Sequence, residues 1–298
     1  MSDQQPNERP LALPLLVTTC LLVLGVVFLA TLSDTVSRPA SDATQTESSQ
    51  LSPEIPPGSE PRLAPLTVVS EQIGSSVLGR PLERIVLGDG PLNVLFLASI
   101  HGNEAAGTPL LHRLVWRLKA APELLDGRRV VVLPMVNPDG VAANRRFNAR
   151  DIDLNRNFPA ENRQNTKVFG LEALSEPEAV AVFRTIDEFP PSHIVTLHEP
   201  LNCVDFDGPA EPLAVAMGEV CPLPVKKLGS RPGSLGSFAG MTLGIPTVTF
   251  ELPRNARDLN DDQLWALYGN ALLTAVTWDS PHEAELLSTH VSVLESGR

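Results

Sequence analysis

Four short apolar runs, each ended by polar or glycine residues, are the clearest pattern along the chain. They occupy residues 93–100, 130–136, 194–197 and 247–250. Runs of this length that are rich in Val, Ile and Leu predict buried parallel strands. Helical patterns lie between the runs, so the sequence predicts an α/β fold: a mostly parallel, mixed central sheet with helices on both faces.

Three polar residues mark where helices are expected to begin. Thr108 precedes Pro109 and an apolar stripe, which predicts an N-cap followed by a first-turn proline. Ser175 with Glu178 has the spacing of a capping box. Asn260 is the predicted start of a third helix.

The N-terminal part of the chain has a different pattern. Residues 11–32 are 22 consecutive uncharged residues after a short flank at 1–10, and about 20 apolar residues suffice for a transmembrane helix. We therefore predict one uncleaved N-terminal anchor. Residues 33–65 are rich in Pro, Ser and Thr, which predicts a disordered linker. A folded domain is expected at 66–280, followed by a tail at 281–298.

Composition narrows the possible partners. Among 298 residues, 35 acidic and 23 basic side chains give a net charge of −12, which argues against nucleic acid as a partner. The three cysteines show no spacing typical of a disulfide scaffold or a structural zinc site. Cys203 and Cys221 fit either a pair in an oxidising compartment or two buried thiols.

The residues that follow the apolar runs include a possible metal-ligand set. His101 and Glu104 come directly after the first run, and His198 closes the third. Catalytic zinc takes three protein ligands of this His/His/carboxylate kind and leaves a fourth position open. The carboxyl ends of parallel strands meet at one edge of the sheet, where open α/β sheets bind ligands. We therefore expect these three residues to bind one zinc ion.

Two further features suit the same chemistry. Arg145, Arg146, Arg150 and Arg156 lie within twelve residues of a polar loop in an acidic chain, which favours an anionic ligand over a merely solvated basic loop. Glu251 ends the fourth apolar run and is a candidate general base for water bound to the metal.

In this order along the chain, the motifs resemble those of the zinc carboxypeptidases of the carboxypeptidase A type, and more closely the bacterial murein peptide amidase branch. The resemblance extends over residues 72–253. The motifs that carry it are Ser76-Val77-Leu78-Gly79-Arg80-Pro81, His101-Gly102-Asn103-Glu104, Asn137-Pro138-Asp139-Gly140, Asn148, Asp153-Leu154-Asn155-Arg156-Asn157-Phe158-Pro159, Leu197-His198, Gly233-Ser234-Leu235-Gly236-Ser237 and Phe250-Glu251-Leu252-Pro253.

The resemblance implies roles for individual residues. It places one zinc ion on His101, Glu104 and His198, and it makes Glu251 the general base. It also makes Arg146 the residue that stabilises the oxyanion. The remaining implied role, binding of the substrate carboxylate, falls to Asn155 and Arg156.

Two positions depart from the family pattern. Carboxypeptidase A-like enzymes carry a tyrosine in the loop before the general base, but residues 229–246 contain none, and Tyr268 is the only tyrosine of the chain. Asp151 stands where the amidase branch usually has glycine. A step that depends on a tyrosine is therefore not expected here.

The sequence thus predicts a membrane-anchored zinc metallopeptidase whose catalytic domain lies on the periplasmic or extracytoplasmic side. We expect it to hydrolyse an amide bond beside a free carboxylate in murein-derived peptides, as a D-glutamyl to diaminopimelate amidase or carboxypeptidase. One alternative is a deacylase of the succinylglutamate desuccinylase or aspartoacylase kind, whose family shares the His-Gly-Asn-Glu and Asp-Leu-Asn-Arg features. The other is a receptor that binds peptides without cleaving them.

Overall fold

The part of the chain that the structure describes, residues 66–279 in a computed structural model, is built around one sheet of seven strands. The strands are β1 (Val68–Ser75), β2 (Pro81–Leu87), β3 (Leu92–Ala98), β4 (Arg128–Leu133), β5 (Pro191–His198), β6 (Leu201–Asp207) and β7 (Thr247–Pro253). Their order in space is β1-β2-β4-β3-β5-β7-β6. The four neighbouring strands β4, β3, β5 and β7 are parallel, while β2 and β6 run antiparallel to their neighbours. The predicted mixed sheet is confirmed.

Helices cover both faces of this sheet, as predicted. The α-helices are α1 (Gly107–Ala120), α2 (Pro138–Ala142), α3 (Pro177–Glu188), α4 (Glu211–Gly218) and α5 (Asp261–Thr277), and a π-helix spans Gly236–Thr242. Short 3-10 segments lie at Pro122–Leu125, Leu154–Arg156 and Arg254–Asp258. Side chains of α1, α4 and α5 belong to one apolar core, while those of α3 and the π-helix belong to a second.

Alternation along the central strands explains why two cores form. On β3, Val94 and Phe96 point into the core with α1 and α5, while Leu95 and Leu97 point into the core with α3. Successive strand side chains face opposite sides of a sheet. Because both sides are covered, apolar residues occupy both, and the strand reads as a continuous apolar run.

The helix starts were predicted with mixed success. Asn260 caps α5 in a capping box with Gln263, as expected. The other two predictions are wrong. The hydroxyl of Thr108 donates to the carbonyl of Pro134, and α1 already begins at Gly107. The hydroxyl of Ser175 donates to the carboxylate of Glu176 instead of capping α3.

The cysteines of the folded part are free thiols. Cys203 on β6 is buried and Cys221 is partly buried, and they are not joined. Burial, together with the nearby carboxylates of Glu251 and Asp205, raises the pKa of the Cys203 thiol to about 11. This thiol is therefore protonated at neutral pH, and the interpretation of two thiols is the one the structure supports.

The predicted anchor at 11–32, the linker at 33–65 and the tail at 281–298 lie outside the described residues. Between residues 66 and 279, no helix combines the length and apolar character needed to cross a membrane. The proposed domain boundaries remain predictions.

His193 is a buried histidine that joins the sheet to α5. It lies on β5 with 0% of its surface exposed, and its Nε2 is 2.7 Å from the carbonyl oxygen of Ala275. Trp278 packs edge-on against its ring. Burial lowers the pKa of His193 to about 4, because the protonated ring would lose its hydration.

This depressed pKa predicts a loss of stability in acid. In the unfolded chain the histidine binds a proton near pH 6.5, whereas in the folded protein it does so only near pH 4. Lowering the pH from about 6.5 to about 4 therefore reduces the free energy of unfolding by up to about 3 kcal/mol. Above pH 6.5 His193 is neutral in both the folded and the unfolded chain, so it adds no pH dependence to the free energy of unfolding. Urea unfolding at pH 7.5 and pH 4.5 should show a smaller acid-induced loss for His193→Gln than for the wild type. His112→Gln, at an exposed position on α1, is the control, and an identical loss in all three proteins would contradict the prediction.

Candidate active site

One cavity of ≈ 180 Å³ lies at the carboxyl edge of the parallel strands, where the sequence predicted a site. It brings together every residue that the sequence analysis assigned a role. These residues are His101, Glu104, Arg146, Asn155, Arg156, His198 and Glu251. Arg145 and Arg150 from the same arginine group do not line this cavity. Arg145 forms an exposed ion pair with Asp151, and Arg150 lies near Glu176.

The loop after β3 is shaped by close contact with α2. A Cβ atom on Gly102 would lie 2.0 Å from the carbonyl carbon of Gly140, so only glycine fits there. The side chain of Asn137 caps α2 by accepting from the amide of Gly140, and its amide group lies 3.4 Å from the carbonyl oxygens of Ile100 and Arg146. The 137–140 motif therefore supports the loop and has no contact with the cavity.

Asp139 in the same motif fastens the hairpin of β1 and β2 to the site. Its carboxylate accepts from the hydroxyl of Ser76 at 2.9 Å, the amide of Leu78 at 2.9 Å and the guanidinium of Arg80 at 2.5 Å. All three partners lie in the turn between β1 and β2. The motif at residues 76–81 is thus structural, and it holds α2 in place.

The three predicted metal ligands converge on one point. Glu104 Oε2 is 2.9 Å from His101 Nδ1 and 2.8 Å from His198 Nδ1, and one ligand atom from each residue lies within 4.8 Å of the others. All three side chains are buried. The contact between His101 Nδ1 and Glu104 lacks the geometry of a hydrogen bond, so among the described residues this nitrogen is not engaged in one. Two imidazoles and a carboxylate around one point fit zinc, and an unpartnered buried nitrogen is available for it.

Asp153 holds His101 in the orientation that metal binding requires. Its Oδ1 is 3.1 Å from His101 Nε2, so that nitrogen is occupied and Nδ1 faces the other ligands. The same carboxylate accepts from Arg146 Nε and from the amide of Asn155, each at 3.0 Å. Burial by itself would raise the pKa of Asp153. The hydrogen bond from His101 and the positive charges of His101, Arg146 and Arg156 outweigh burial, so the pKa of Asp153 lies well below its usual range.

Arg146, Asn155 and Arg156 line the cavity with hydrogen-bond donors. Arg146 Nη1 is 3.1 Å from Glu104 Oε1. The carbonyl oxygen of the Asn155 side chain accepts from the amide of Leu235 at 2.8 Å, which leaves its NH2 group as the free donor. The pKa of the Arg156 guanidinium is lowered, mainly by burial. The negative charge of Asp153 raises this pKa, whereas the positive charges of Arg146 and Arg231 lower it further. An anion in the cavity would relieve this crowding of positive charge.

Glu251 stands beside His198 at the ends of adjacent strands, since the two residues are register partners on β7 and β5. Its Oε2 accepts from the amide of Leu201 at 3.3 Å. Burial raises the pKa of the Glu251 carboxyl, with the charge of His198 opposing the rise. A carboxylate of raised pKa is a better proton acceptor than an exposed one.

Several residues that the sequence analysis missed also line the cavity: Glu199, Thr196, Thr249, Asp205, Asp207 and Arg231. Glu199 follows a proposed ligand directly. Its carboxylate accepts from the amide of Ala106 at 2.9 Å and from Arg257 at 3.1 Å, so it joins the start of α1 to the segment after β7. Asp205 and Asp207 are two residues apart on β6, so their side chains lie on the same face of the sheet. This spacing was the signal in the sequence that could have placed both side chains at the cavity.

The two departures from the family pattern have structural explanations. Asp151 has φ = 61°, in the left-handed region where glycine is most at ease and aspartate is tolerated. Tyr268 is 3% exposed and packs edge-on against Phe250, in the core on the opposite face of the sheet from the site. No tyrosine lines the cavity.

The fold and the site together define a metallohydrolase class, and comparison with known proteins gives the family. Residues 62–202 match the family model described as "Zinc carboxypeptidase". The chain is also 31% identical over 231 residues to murein peptide amidase A of Escherichia coli K12, covering 70% of this chain and 90% of that protein. The chain belongs to the zinc carboxypeptidase family.

Relatives within the family agree with this assignment. Murein peptide amidase A of Vibrio campbellii is 32% identical over 215 residues, covering 66% of this chain and 84% of that one. The crystal structure of the murein-tripeptide amidase MpaA from Escherichia coli O157 superimposes with a TM-score of 0.57 at 29% identity, covering 71% of this chain and 93% of the other. Carboxypeptidase A from Helicoverpa armigera shares the fold, with a TM-score of 0.58 at 16% identity and coverage of 70% and 68%. The protein is a hydrolase that uses one zinc ion.

The position of Asp153 predicts the effect of removing its charge. Asp153→Asn should weaken zinc binding about 10- to 100-fold, because the amide can accept fewer of the three donors and leaves His101 less firmly oriented. Competition with a chelator at fixed pH measures this affinity without relying on activity. Asp151→Asn, two residues away and exposed, should bind zinc like the wild type. Equal affinity in a folded Asp153→Asn protein would show that this hydrogen bond does not support the site.

Proposed function

We propose that the protein is a metallopeptidase that hydrolyses an amide bond beside a free carboxylate, in murein-derived peptides and at the D-glutamyl to diaminopimelate bond. The observation that carries the proposal is the single cavity in which a His/Glu/His set, a buried glutamate and an arginine-rich wall meet. The names of the relatives that are 31% and 32% identical support the choice of substrate.

In this proposal Asn155 and Arg156 select the end of the peptide. The free NH2 group of Asn155 and the guanidinium of Arg156 lie on one wall of the cavity, where they would bind a terminal carboxylate. A guanidinium pairs with a carboxylate through two parallel hydrogen bonds. This contact would place the adjacent amide bond over the metal-ligand set and thereby fix which bond is cut.

Glu251 performs the proton transfers. Bound zinc supplies Lewis-acid catalysis, polarising a carbonyl group and activating water. The Glu251 carboxylate accepts the proton of the attacking water and then donates it to the leaving amine. Its raised pKa suits both halves of this task, because the group must be basic enough to take a proton and acidic enough to release it.

Arg146 stabilises the negative charge that develops on the carbonyl oxygen. Its side chain is 35% exposed and lies beside Glu104 on the wall of the cavity. Removal of one such donor in other hydrolases costs on the order of 100- to 1,000-fold in kcat. Asp153 holds the guanidinium through Nε and Glu104 contacts Nη1, so Nη2 is the nitrogen left to donate to the substrate.

The proposal is tested by incubating the zinc-loaded protein with murein tripeptide and identifying the released amino acids by mass spectrometry. We expect free diaminopimelate. Glu251→Gln should lower kcat by about 100- to 10,000-fold with unchanged zinc content, because it removes the proton acceptor and not a proposed ligand. Glu211→Gln, at an exposed position at the start of α4, is the matched control.

Three other outcomes would each replace the proposal. Release of an ordinary C-terminal residue, with the tripeptide left intact, would indicate a general carboxypeptidase. Hydrolysis of an N-acyl amino acid in place of both peptides would indicate a deacylase. Binding of zinc and peptide without any product would indicate a receptor, and full activity of Glu251→Gln would contradict the assigned role of that residue.

We also propose that residues 11–32 anchor the protein in a membrane, with the catalytic domain on the extracytoplasmic side. The support is the uncharged stretch of 22 residues followed by a Pro-rich and Ser-rich segment. Placement outside the cytoplasm would bring the domain to the cell wall, where murein peptides are found.

The anchor is tested in the full chain by placing charges within the stretch. The wild type should remain with membranes after an alkaline carbonate wash. Leu21→Arg combined with Leu24→Arg should release it, because each arginine near the centre of a span costs about 2.5–3.5 kcal/mol on insertion scales. Ser48→Arg with Ser49→Arg, in the predicted linker, is the control. A wild-type protein found only in the soluble fraction would rule out the anchor.

A further inference from the structure

Glu199 is a buried carboxylate beside the metal-ligand set, and the proposed chemistry does not use it. Its side chain is 1% exposed, and it follows His198 directly in the chain. Its amide donates to Glu104 Oε2 at 3.3 Å, so its backbone contacts a second proposed ligand. A carboxylate buried to this extent is retained only with partners that offset its lost hydration. The partners of Glu199 therefore indicate what its side chain does.

One partner of Glu199 is the start of α1. Its Oε1 accepts from the amide of Ala106 at 2.9 Å, and α1 begins at the next residue, Gly107. The first amides of a helix have no partner within the helix, and they attract negative charge. Glu199 thus joins the loop at residues 101–106, which carries two of the proposed ligands, to β5, which carries the third.

The other partner is Arg257, which lies on the 3-10 segment Arg254–Asp258. Its Nη2 is 3.1 Å from Glu199 Oε2 and 2.8 Å from the carbonyl oxygen of Asn103. Asn103 comes one residue before a proposed metal ligand, and Glu199 comes one residue after another. One guanidinium nitrogen therefore bridges the two chain segments that supply the metal-ligand set.

The segment that carries Arg257 is also connected to the proposed general base. It begins directly after β7, on which Glu251 lies. Ala256, which precedes Arg257, is 0% exposed and belongs to the apolar core with α1 and α5. Because this contact fixes the segment against the core, Arg257 links the strand of the general base to the segments of the metal ligands.

Arg257 is placed to act through other residues and not on the substrate. Its side chain is 43% exposed, and the cavity is lined by Glu199 and not by Arg257. Within residues 66–279, the contacts with Glu199 and Asn103 are the hydrogen bonds that its side chain makes. Its effect on the site therefore depends on the geometry of the segments that it joins.

We propose that Glu199 and Arg257 are positioning residues, which hold the loop at residues 101–106, the end of β5 and the segment after β7 at a fixed spacing. The pair keeps the three proposed metal ligands together and aligned with the proposed general base. Its consequence for catalysis rests on the proposed peptidase function, whereas its consequence for zinc binding does not.

The first test measures the zinc affinity of the full chain by competition with a chelator. Arg257→Ala should weaken zinc binding about 10- to 100-fold, as does the removal of other residues that support a metal ligand. Loss of a positive charge near the site would by itself strengthen the binding of a cation. Weaker binding would therefore reflect lost positioning, and an affinity equal to or higher than that of the wild type would overturn the proposal.

Arg257→Lys provides a rescue and Arg254→Ala a control. Lysine replaces arginine poorly where two guanidinium nitrogens are used, but here one nitrogen makes both contacts. Arg257→Lys should therefore recover most of the zinc affinity that Arg257→Ala loses. Arg254→Ala removes an exposed arginine from the same 3-10 segment and should bind zinc like the wild type. An equal loss in all three variants would contradict a role for the contacts of Arg257.

A double-mutant cycle tests whether the two residues act as a pair. Glu199→Gln keeps the shape of the side chain and removes its charge. Arg257→Ala should weaken zinc binding less in the Glu199→Gln protein than in the wild type, because no buried charge is then left without its partner. Effects that simply multiply would overturn the pairing.

The kinetic test uses murein tripeptide at zinc concentrations that saturate each variant. Arg257→Ala should lower kcat about 10- to 100-fold, because a small displacement of the reacting groups is enough for such a loss. KM should stay near the wild-type value, since Arg257 does not line the cavity. A raised KM with unchanged kcat would indicate contact with the substrate and overturn the positioning role. If the wild type does not cleave the peptide, the proposed function fails, and the zinc measurements still decide this inference.

Discussion

The buried carboxylate of Asp153 connects parts of the site that come from separate segments of the chain. It accepts from the ring of His101, the guanidinium of Arg146 and the amide of Asn155. A buried carboxylate that loses its donors costs several kcal/mol, whereas one that keeps them is tolerated. If the loop at residues 144–157 moved away from the metal-ligand set, this carboxylate would lose donors, so Asp153 couples the arginine wall to the metal-ligand set.

The parts of the fold that the sequence predicted are those buried on both sides. The strands β3, β4, β5 and β7 are central, so their apolar runs are unbroken and easy to recognise. The predicted site residues follow these runs, and the geometry of a parallel sheet brings strand ends together whatever the loops between them do. This is why residues 150 positions apart, His101 and Glu251, could be placed in one cavity beforehand.

The features that the sequence did not predict depend on tertiary contacts, which a local pattern of residues does not reveal. The edge strand β1 is largely exposed, and β6 begins with exposed residues, so neither gives a continuous apolar run. The hydroxyl of Thr108 had a tertiary partner, the carbonyl of Pro134, that outweighed its preference for a cap. Asp205 and Asp207 could be assigned to the cavity only once β6 was placed beside β7, where they are the register partners of Thr249 and Thr247.

The attachment of the β1–β2 turn to Asp139 bears on proteolysis and on the order of folding. Ser76, Leu78 and Arg80 belong to the first hairpin of the described region, yet their shared acceptor follows about 60 residues later. The hairpin therefore cannot complete its contacts until β4 and α2 have been made. Proteolysis inside the hairpin would detach the donors of Asp139 from one of their two strands and thereby loosen α2, the helix against which Gly102 packs.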